Sequence, residues 1–235
     1  MFRRFIVAID GPAGSGKSTS AKLVAQRLNF LYIDTGAMYR AVTFLAMKND
    51  ILNDHEKVTS LAESCMMKME FINGKTKIHV DGVDLTAEIR SHEVNSHVSD
   101  ISKIAGVRNA LVKKQRVMAA ENEGVVMEGR DIGTVVFPDA DVKIYLTASI
   151  HERSHRRAKE FAEQGKKIAV ETVRDNLVQR DKIDSTRAVA PLSKAQDAIE
   201  VDTSNTTVEE QVEIILQEIN KKLSKSPYTN PPEAD

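Results

Sequence analysis

The sequence predicts an α/β fold built on a parallel β-sheet, and three observations lead to this prediction. Short apolar runs, typical of buried strands, alternate along most of the chain with segments whose apolar residues recur at helical spacing. The first run, Phe5–Ile9, ends abruptly at 10–14, a segment with two glycines and one proline. An apolar content of 41% with 29% charged residues is that of a globular protein able to bury a core.

The first part of the chain is predicted to alternate between strands and helices. After the first strand, apolar residues at i, i+3, i+4 and i+7 indicate one face of a helix. A short strand and two further helices follow. The residues that support these elements are Ala21, Val24, Ala25 and Leu28, then Phe30–Ile33, then Met38, Ala41, Val42 and Leu45, then Val58, Leu61, Ala62, Cys65 and Met66.

The pattern then changes, which predicts an inserted antiparallel unit. Met69–Ile72 and Lys77–Val80 flank Asn73-Gly74, a dipeptide typical of a hairpin turn. A third short strand is expected near 84–85. The rest of the chain returns to the α/β pattern, with a helix at 107–118, strands at 125–127, 142–146 and 199–201, a last helix after a capping box at 207–210, and a tail at 224–235 that is expected to fray.

The length and bulk composition favour one core with insertions. A chain of 235 residues is long for one compact domain and short for two. The net charge of −1 gives no general argument for nucleic-acid or membrane binding, and the single cysteine, Cys65, excludes an intramolecular disulfide. We therefore expect a cytoplasmic protein, a monomer, with neither nucleic acid nor membrane as a partner.

A phosphate-binding loop is predicted directly after the first strand. The segment 11–18, GPAGSGKS, matches G-x-x-x-x-G-K-[ST] and lies between a predicted strand and a predicted helix. Its amides and the helix N-terminus are expected to hold a nucleoside triphosphate, with Lys17 at the β- and γ-phosphates and Ser18 at Mg²⁺. A glycine-rich turn without a ligand is the alternative. The Asp-x-x-Gly of GTPases does not follow the loop in this sequence.

A predicted helix from Ser149 to near Gly165 carries three arginines on one face. Arg153, Arg156 and Arg157 stand at i, i+3 and i+4. The same segment fits the zinc pattern His-Glu-x-x-His, but the arginines would repel a cation, so we interpret its glutamate as a helix cap. Surface arginines paired with nearby acids remain the alternative to a phosphate-binding role.

A second helix is predicted from Val170, and it presents a further group of charges. Arg180, Asp184 and Arg187 follow at steps of four and three, so they would share a face. Guanidinium groups on two neighbouring helices suit a lid that closes over polyphosphate.

Two polar segments follow predicted strands, where ligands bind in parallel sheets. In the segment 34–40, DTGAMYR, Thr35 is expected to cap the next helix and Arg40 to reach an anion. The segment 129–131, GRD, follows the strand at 125–127. Ordinary ion pairs are the alternative at both places.

Four segments in this order closely resemble the bacterial cytidylate kinases, and the resemblance covers about 5–222. These segments are 10–18, 34–40, 128–138 and 187–192. The resemblance implies a P-loop NTPase core of three layers with a five-stranded parallel sheet, a small antiparallel β insertion and a helical lid. We accordingly assign 1–65, 101–150 and 189–235 to the core, 66–100 to an enlarged nucleoside-monophosphate-binding insertion, and 151–188 to the lid region.

The resemblance also implies a reaction, in which ATP and CMP or dCMP give ADP and CDP or dCDP with Mg²⁺. Thr35, Tyr39 and Arg40 would line the acceptor phosphate pocket. Ser99, Arg108 and Asp131 would face cytosine, Arg130 and Arg187 would hold phosphates, and Arg180 and Asp184 would contact the acceptor sugar and its surroundings. ATP is expected on Gly11, Pro12, Ala13, Gly14, Ser15, Gly16, Lys17, Ser18, Thr19, Arg153 and Arg157, and catalysis is assigned to Lys17, Arg130, Arg180 and Arg187.

Two other functions remain compatible with the sequence. One is a kinase for UMP or another small acceptor. The other is a nucleotide sensor without catalysis, although such a sensor would not need so many arginines at strand ends and on a lid.

Overall fold

The computed structural model describes residues 4–72, 74–163 and 165–224, and its elements follow the predicted alternation. The strands are β1 (Phe5–Asp10), β2 (Leu31–Asp34), β3 (Met67–Ile72), β4 (Lys75–Val80), β5 (Val83–Asp84), β6 (Gly124–Gly129), β7 (Val142–Thr147) and β8 (Ile199–Asp202). The α-helices are α1 (Lys17–Leu28), α2 (Thr35–Lys48), α3 (His55–Ser64), α4 (His92–Ile101), α5 (Ala105–Ala120), α6 (Ile150–Glu163), α7 (Val170–Thr186) and α8 (Val208–Leu223).

Five of these strands form one parallel sheet, as predicted. Their order is β2-β6-β1-β7-β8, so β1 lies in the middle with β6 and β7 beside it. All the pairings in this sheet are parallel, and Asp10 at the end of β1 stands opposite Gly129 at the end of β6. The loops after β1 and β6 therefore leave the same edge of the sheet side by side.

Helices cover both faces of this sheet and make a three-layer core. Because successive strand residues point to opposite faces, Val7 and Ile9 pack into one cluster and Ala8 into another. The first cluster includes α1 and α8, and the second includes α2, α3 and α5. Because both faces of the sheet are covered, residues on both faces of its central strands are buried, and these strands are therefore continuous apolar runs in the sequence.

The predicted antiparallel unit is present as a second sheet in the order β3-β4-β5. Its last strand, Val83–Asp84, starts one residue earlier than expected. Gly74 in the hairpin has a φ of 72°, and Asn73, the other predicted turn residue, lies outside the described residues. The ring of Phe71 in β3 packs 5.2 Å from the ring of Tyr32 in β2, so this sheet rests on the main one.

Helix α4 was not predicted, and it makes the inserted region partly helical. The Ser91 hydroxyl caps it by accepting the N–H of Val94. Val94, Val98 and Ile101 are buried and fall at i, i+4 and i+7, so a periodic signal was present in the sequence.

Helices α6 and α7 pair with each other beside the phosphate loop. Val173 and Leu177 of α7 are buried against Ala13 of that loop, as the predicted inward face requires. Helix α6 ends at Glu163, close to the expected end. Helix α7 ends at Thr186, so Arg187, predicted on its face, stands just beyond it in extended backbone.

The last helix begins with the predicted capping box, in which Thr207 and Glu210 satisfy each other's backbone N–H groups. The tail predicted to fray falls mostly at 225–235, outside the described residues. Within the described part of the chain, none of the helices has the length and apolar character needed to span a membrane.

Candidate active site

The loop at 11–18 has a backbone shape that requires its glycines. A Cβ atom on Gly11 would lie 2.0 Å from the carbonyl oxygen of Leu146, and the φ of Gly11 is 147°. Gly16, at the start of α1, has a φ of 90°, where a side chain would be strained. The loop therefore joins the middle strand of the sheet directly to a helix N-terminus, which favours bound anions.

Lys17 lies buried within this loop. Its Nζ donates to the carbonyl oxygen of Pro12 at 2.6 Å. Burial, followed by the charge of Arg130, lowers the pKa of Lys17, although Glu128 and Asp10 oppose the shift. A cation that is desolvated and close to a second cation gains most from a bound phosphate.

A cavity of about 560 Å³ lies beside the loop, and it brings most of the predicted site residues together. It extends from the start of α1 to α4, α5 and α7. Gly11, Pro12 and Ser15 belong to the loop but do not line the cavity. The predicted residues that line it are Ala13, Gly14, Gly16, Lys17, Ser18, Thr19, Thr35, Tyr39, Arg40, Ser99, Arg108, Arg130, Asp131, Arg157, Arg180, Asp184 and Arg187.

Alternating charges form a chain across one wall of this cavity. The Nε of Arg130 donates to Asp184 at 2.8 Å, and Arg187 stands 3.6 Å from Asp184 and also 3.6 Å from Asp131. Asp131 in turn accepts a hydrogen bond from the buried Arg108. These residues come from the turn after β6, from α5 and from the end of α7, so the wall joins three parts of the chain.

The arginines outnumber the acids at this wall, and the pKa values reflect that excess. Burial opposes the charge of Asp184, but Arg130, Arg187 and Arg180 outweigh it and hold its pKa below the ordinary value. Burial, followed by Arg130, lowers the pKa of Arg180 to about 10. Within the described part of the chain, the buried Nε atoms of Arg180 and Arg40 have no hydrogen-bond partner. An anionic ligand would use these donors and relieve the repulsion.

The segment after β2 differs in one respect from the prediction. Asp34, not Thr35, caps α2, because its carboxylate accepts the N–H of Ala37 at 3.0 Å. The Thr35 hydroxyl donates instead to the carbonyl oxygen of Glu128 at 2.7 Å, which joins β2 to β6. Asp34 also pairs with Arg40 at 2.8 Å and turns that guanidinium toward the cavity.

The end of the cavity away from the phosphate loop is lined by a planar guanidinium and by polar side chains. The Arg108 guanidinium lies over the ring of Tyr39, 5.4 Å from its centroid, and donates to the carbonyl oxygen of Ser102 at 3.2 Å. Ser99 reaches the same end from α4, the helix that the sequence reading missed. A stacked guanidinium, an aspartate and a hydroxyl suit recognition of a planar base.

Arg153 differs in its surroundings from the other residues that are predicted to bind ATP. Its guanidinium is buried and donates to the carbonyl oxygens of Ala148 and Ala13 and to Asp181, at 3.0, 3.1 and 2.6 Å. Arg153 therefore ties the phosphate loop to α6 and α7 and does not line the cavity. Arg156, which helical spacing puts on the same face and for which no ligand role is predicted, does line it.

Arg156 and Arg157 occupy the loop side of the cavity. Arg156 donates to the Thr203 hydroxyl at 3.0 Å, and that hydroxyl donates to the carbonyl oxygen of Ser15, also at 3.0 Å. Arg157 pairs with Glu160 at 2.6 Å. Helical spacing had identified the arginine face of α6, but it could not show which members of that face turn inward.

Glu128, at the end of β6, is a second residue that the sequence reading missed. Its carboxylate is buried, lines the cavity, and interacts with the Ser18 hydroxyl and the Tyr32 hydroxyl. Burial, followed by Asp34, raises its pKa. Its position at a strand end, directly before the predicted Gly-Arg-Asp segment, was the available signal. A hydroxyl and a carboxylate side by side are oxygen donors of the kind that Mg²⁺ prefers.

The fold and this cavity define a P-loop kinase, an enzyme that transfers a phosphoryl group between two anionic substrates. The family model "Cytidylate kinase" matches residues 7–221. The chain belongs to the cytidylate kinase family.

Individual relatives agree with this assignment. The cytidylate kinase of Desulforamulus reducens is 50% identical over 92% of this chain and 96% of its own length. That of Bacillus licheniformis is 45% identical over 96% of this chain and 100% of its own length. An uncharacterized protein from Eubacterium ventriosum shares the fold alone, with a TM-score of 0.52 and 14% identity over 93% of this chain and 99% of that chain.

Proposed function

We propose that the cavity holds ATP at the loop side and CMP or dCMP at the side of Arg108 and Asp131, with their phosphates meeting between Lys17 and Arg130. The enzyme transfers the γ-phosphoryl group of ATP to CMP or dCMP, giving ADP and CDP or dCDP. The observation that supports this arrangement is that Lys17 and seven arginines line one continuous cavity.

The donor side would bind ATP mainly through the backbone of 11–18. Helix α1 begins at Lys17, so its first amides and its dipole would face the phosphates. Lys17 would leave the carbonyl of Pro12 for the β- and γ-phosphates. Thr19, Arg156 and Arg157 line the cavity next to the loop and would contact the rest of the nucleotide.

The acceptor side would bind the monophosphate through side chains. Thr35, Tyr39 and Arg40 line the part of the cavity near the start of α2 and would hold the phosphate. Ser99 and Arg108, together with Asp131, would contact cytosine. Arg130 and Arg187 would bridge the phosphates, and Arg180 and Asp184 would lie near the acceptor sugar.

The transfer needs no covalent intermediate on the protein. A phosphate oxygen of CMP forms a bond to the γ-phosphorus while the bond from that phosphorus to the β–γ bridging oxygen breaks, and ADP takes the electron pair. Lys17, Arg130, Arg180 and Arg187 would neutralise the two anions, which otherwise repel each other, and would stabilise the charge on the transferring group.

Mg²⁺ is proposed at the Ser18 hydroxyl, with Glu128 as the nearby carboxylate. When bound, Mg²⁺ would supply positive charge to the β- and γ-phosphates. The chain itself would orient the hydroxyl oxygen of Ser18 and the carboxylate of Glu128. Ser18 stands at the start of α1, and the Tyr32 hydroxyl holds Glu128 at the end of β6.

We also propose the predicted division of the chain into a core, an insertion at 66–100 and a lid at 151–188. Closure of α6 and α7 would exclude water, which otherwise competes for the phosphoryl group. We propose that the enzyme acts as a monomer, since one chain supplies every side chain that the scheme uses, and that it acts in the cytoplasm, as expected from the sequence.

An assay of ADP release with a panel of acceptors tests the proposal. We expect release with CMP and dCMP, and much less with UMP, AMP or GMP, because Arg108 and Asp131 present a fixed donor and acceptor pattern. Release with UMP alone would contradict the assigned base. ATP binding without release for any acceptor would contradict catalysis.

A further inference from the structure

The donor and acceptor sides of the cavity start from the same point in the sheet. Asp10 ends β1, and the phosphate loop follows it directly. Gly129, its partner in register, ends β6, and Arg130 and Asp131 follow. The relative position of the two loops therefore depends on what joins them just beyond these strands.

The Asp10 side chain makes that connection. Its Oδ1 accepts the N–H of Ile132 at 2.9 Å, and its Oδ2 accepts the N–H of Gly133 at 2.7 Å. These are the first two amides of a short helical turn, Ile132–Val136, and such amides have no acceptor within their own turn. Asp131 precedes the turn but does not cap it, because its carboxylate faces Arg108 and Arg187.

The geometry points to Asp10 as a positioning residue, which holds the Arg130-Asp131 segment in place against the phosphate loop and so sets how the two substrates meet. The inference rests on the acceptor-side roles proposed above for Arg130 and Asp131. Asp10 touches neither substrate in this scheme, and it acts through the backbone of the turn.

The chemistry of the contact requires a carboxylate. Two N–H groups converge on one side chain, and only a carboxylate offers an acceptor to each of them. An asparagine offers one oxygen, and its NH₂ group would face the second N–H donor against donor. Burial of the charged Asp10 carboxylate also destabilises the folded state. It raises the pKa of Asp10 to about 6, although the hydrogen bonds from Gly133 and Ile132 oppose the shift.

The test is the variant Asp10→Asn, measured as kcat and KM for CMP together with the affinity for ATP alone. Because the variant should misplace the Arg130-Asp131 segment, kcat/KM for CMP should fall by about 100-fold. The dissociation constant of ATP, measured calorimetrically without acceptor, should change by less than about tenfold, because the loop glycines and Lys17 remain in place and only the Coulombic effect of Asp10 on Lys17 is lost.

The matched control is Asp141→Asn. Asp141 accepts the N–H of Ile6 at 2.8 Å near the other end of β1, so it makes the same kind of contact far from the cavity. One amide oxygen can still accept the Ile6 N–H, and Asp141 does not line the cavity, so both kinetic and binding constants should stay within about twofold of the wild type.

Three results would overturn the inference. The first is a kcat/KM for CMP in Asp10→Asn within about twofold of the wild type. The second is an equal loss of ATP affinity, which would place the effect in the phosphate loop. The third is an equal loss in Asp141→Asn. If Asp10→Asn does not give a folded protein by circular dichroism, Asp10→Ser, which has one acceptor and a smaller side chain, takes its place with the same expectations.

Failure of the proposed function gives a different result. In that case the wild type itself would show no phosphorylation of CMP, whereas failure of the inference leaves an active wild type beside an equally active variant.

Discussion

The two sides of the cavity are built in different ways. The proposed donor side centres on one contiguous segment at 11–19, in which the backbone would do most of the binding, with Arg156 and Arg157 beside it. The acceptor side combines side chains from α2, α4, α5, the turn after β6 and the end of α7. A backbone site tolerates most side-chain changes, but a side-chain site depends on each ion pair that orients it. Substitutions should therefore separate the two sides clearly.

The largest effect is expected for Arg130→Ala, at the meeting point of the two sides. The variant should lose about 10³-fold in kcat, because Arg130 would stabilise charge that develops only during transfer. The fold should persist, since Asp184 keeps its contact with Arg187 at 3.6 Å. Steady-state kinetics and thermal unfolding measure the two quantities.

A matched variant sharpens this test. Arg130→Lys keeps the charge but loses the planar fork, so we expect only partial recovery of kcat. A kcat near the wild-type value in Arg130→Ala would remove Arg130 from the mechanism.

The second effect is the pH dependence of stability caused by Asp10, which connects the loops of the two sides. The pKa of Asp10 is raised from 3.8 to about 6, so the folded protein binds a proton between these values that the unfolded chain does not. The Asp10 carboxylate therefore lowers the free energy of unfolding above pH 6, and this destabilisation disappears as the pH falls toward 4. The shift corresponds to about 3 kcal/mol.

Denaturant unfolding of the wild type and Asp10→Asn measures this contribution. From pH 7 to pH 4, the wild type should gain stability relative to the uncharged variant. A difference in unfolding free energy that does not change over this range would show that Asp10 titrates normally.

A smaller effect is expected for Arg40→Gln on the acceptor side. Loss of one charged contact to a phosphate should raise KM for CMP by about 10- to 100-fold. KM for ATP should not change, since Arg40 lies near the start of α2 and away from the loop. Arg27→Gln is the control, because Arg27 pairs with Glu209 and Glu213 on the surface. Equal changes in the two KM values would contradict the division into two sides.

The same difference explains which parts of the fold and of the site could be predicted from the sequence. The strand–loop–helix shape at 11–18 was predicted correctly, because the motif that identifies it is contiguous, and the binding of ATP by its residues stays a prediction. The parallel sheet and its flanking helices were predicted from apolar patterns, the number of five strands followed from the resemblance to the bacterial cytidylate kinases, and the hairpin was predicted from its Asn-Gly turn. Local patterns could not show that Asp34 rather than Thr35 caps α2, since both residue types cap helices well.

Residues whose role depends on tertiary packing were harder to predict. Arg153, Arg156 and Arg157 share one helical face, but Arg153 is buried against the loop and Arg156 lines the cavity. Glu128 opens the segment 128–138 but was given no role, because its contacts are with Ser18 and Tyr32, which come from distant parts of the chain. Helical spacing gives the direction of a side chain, and only the packed structure gives its neighbour.

The most direct test of the shared cavity is the binding of one molecule to both sides. An analogue in which a short polyphosphate chain joins adenosine to cytidine should bind about 10²- to 10⁴-fold more tightly than ATP alone, because the second contact becomes intramolecular. Calorimetry should show one molecule per chain and no further binding of CMP. An affinity equal to that of ATP, with CMP still able to bind, would show that the phosphate loop and the arginines do not form one site.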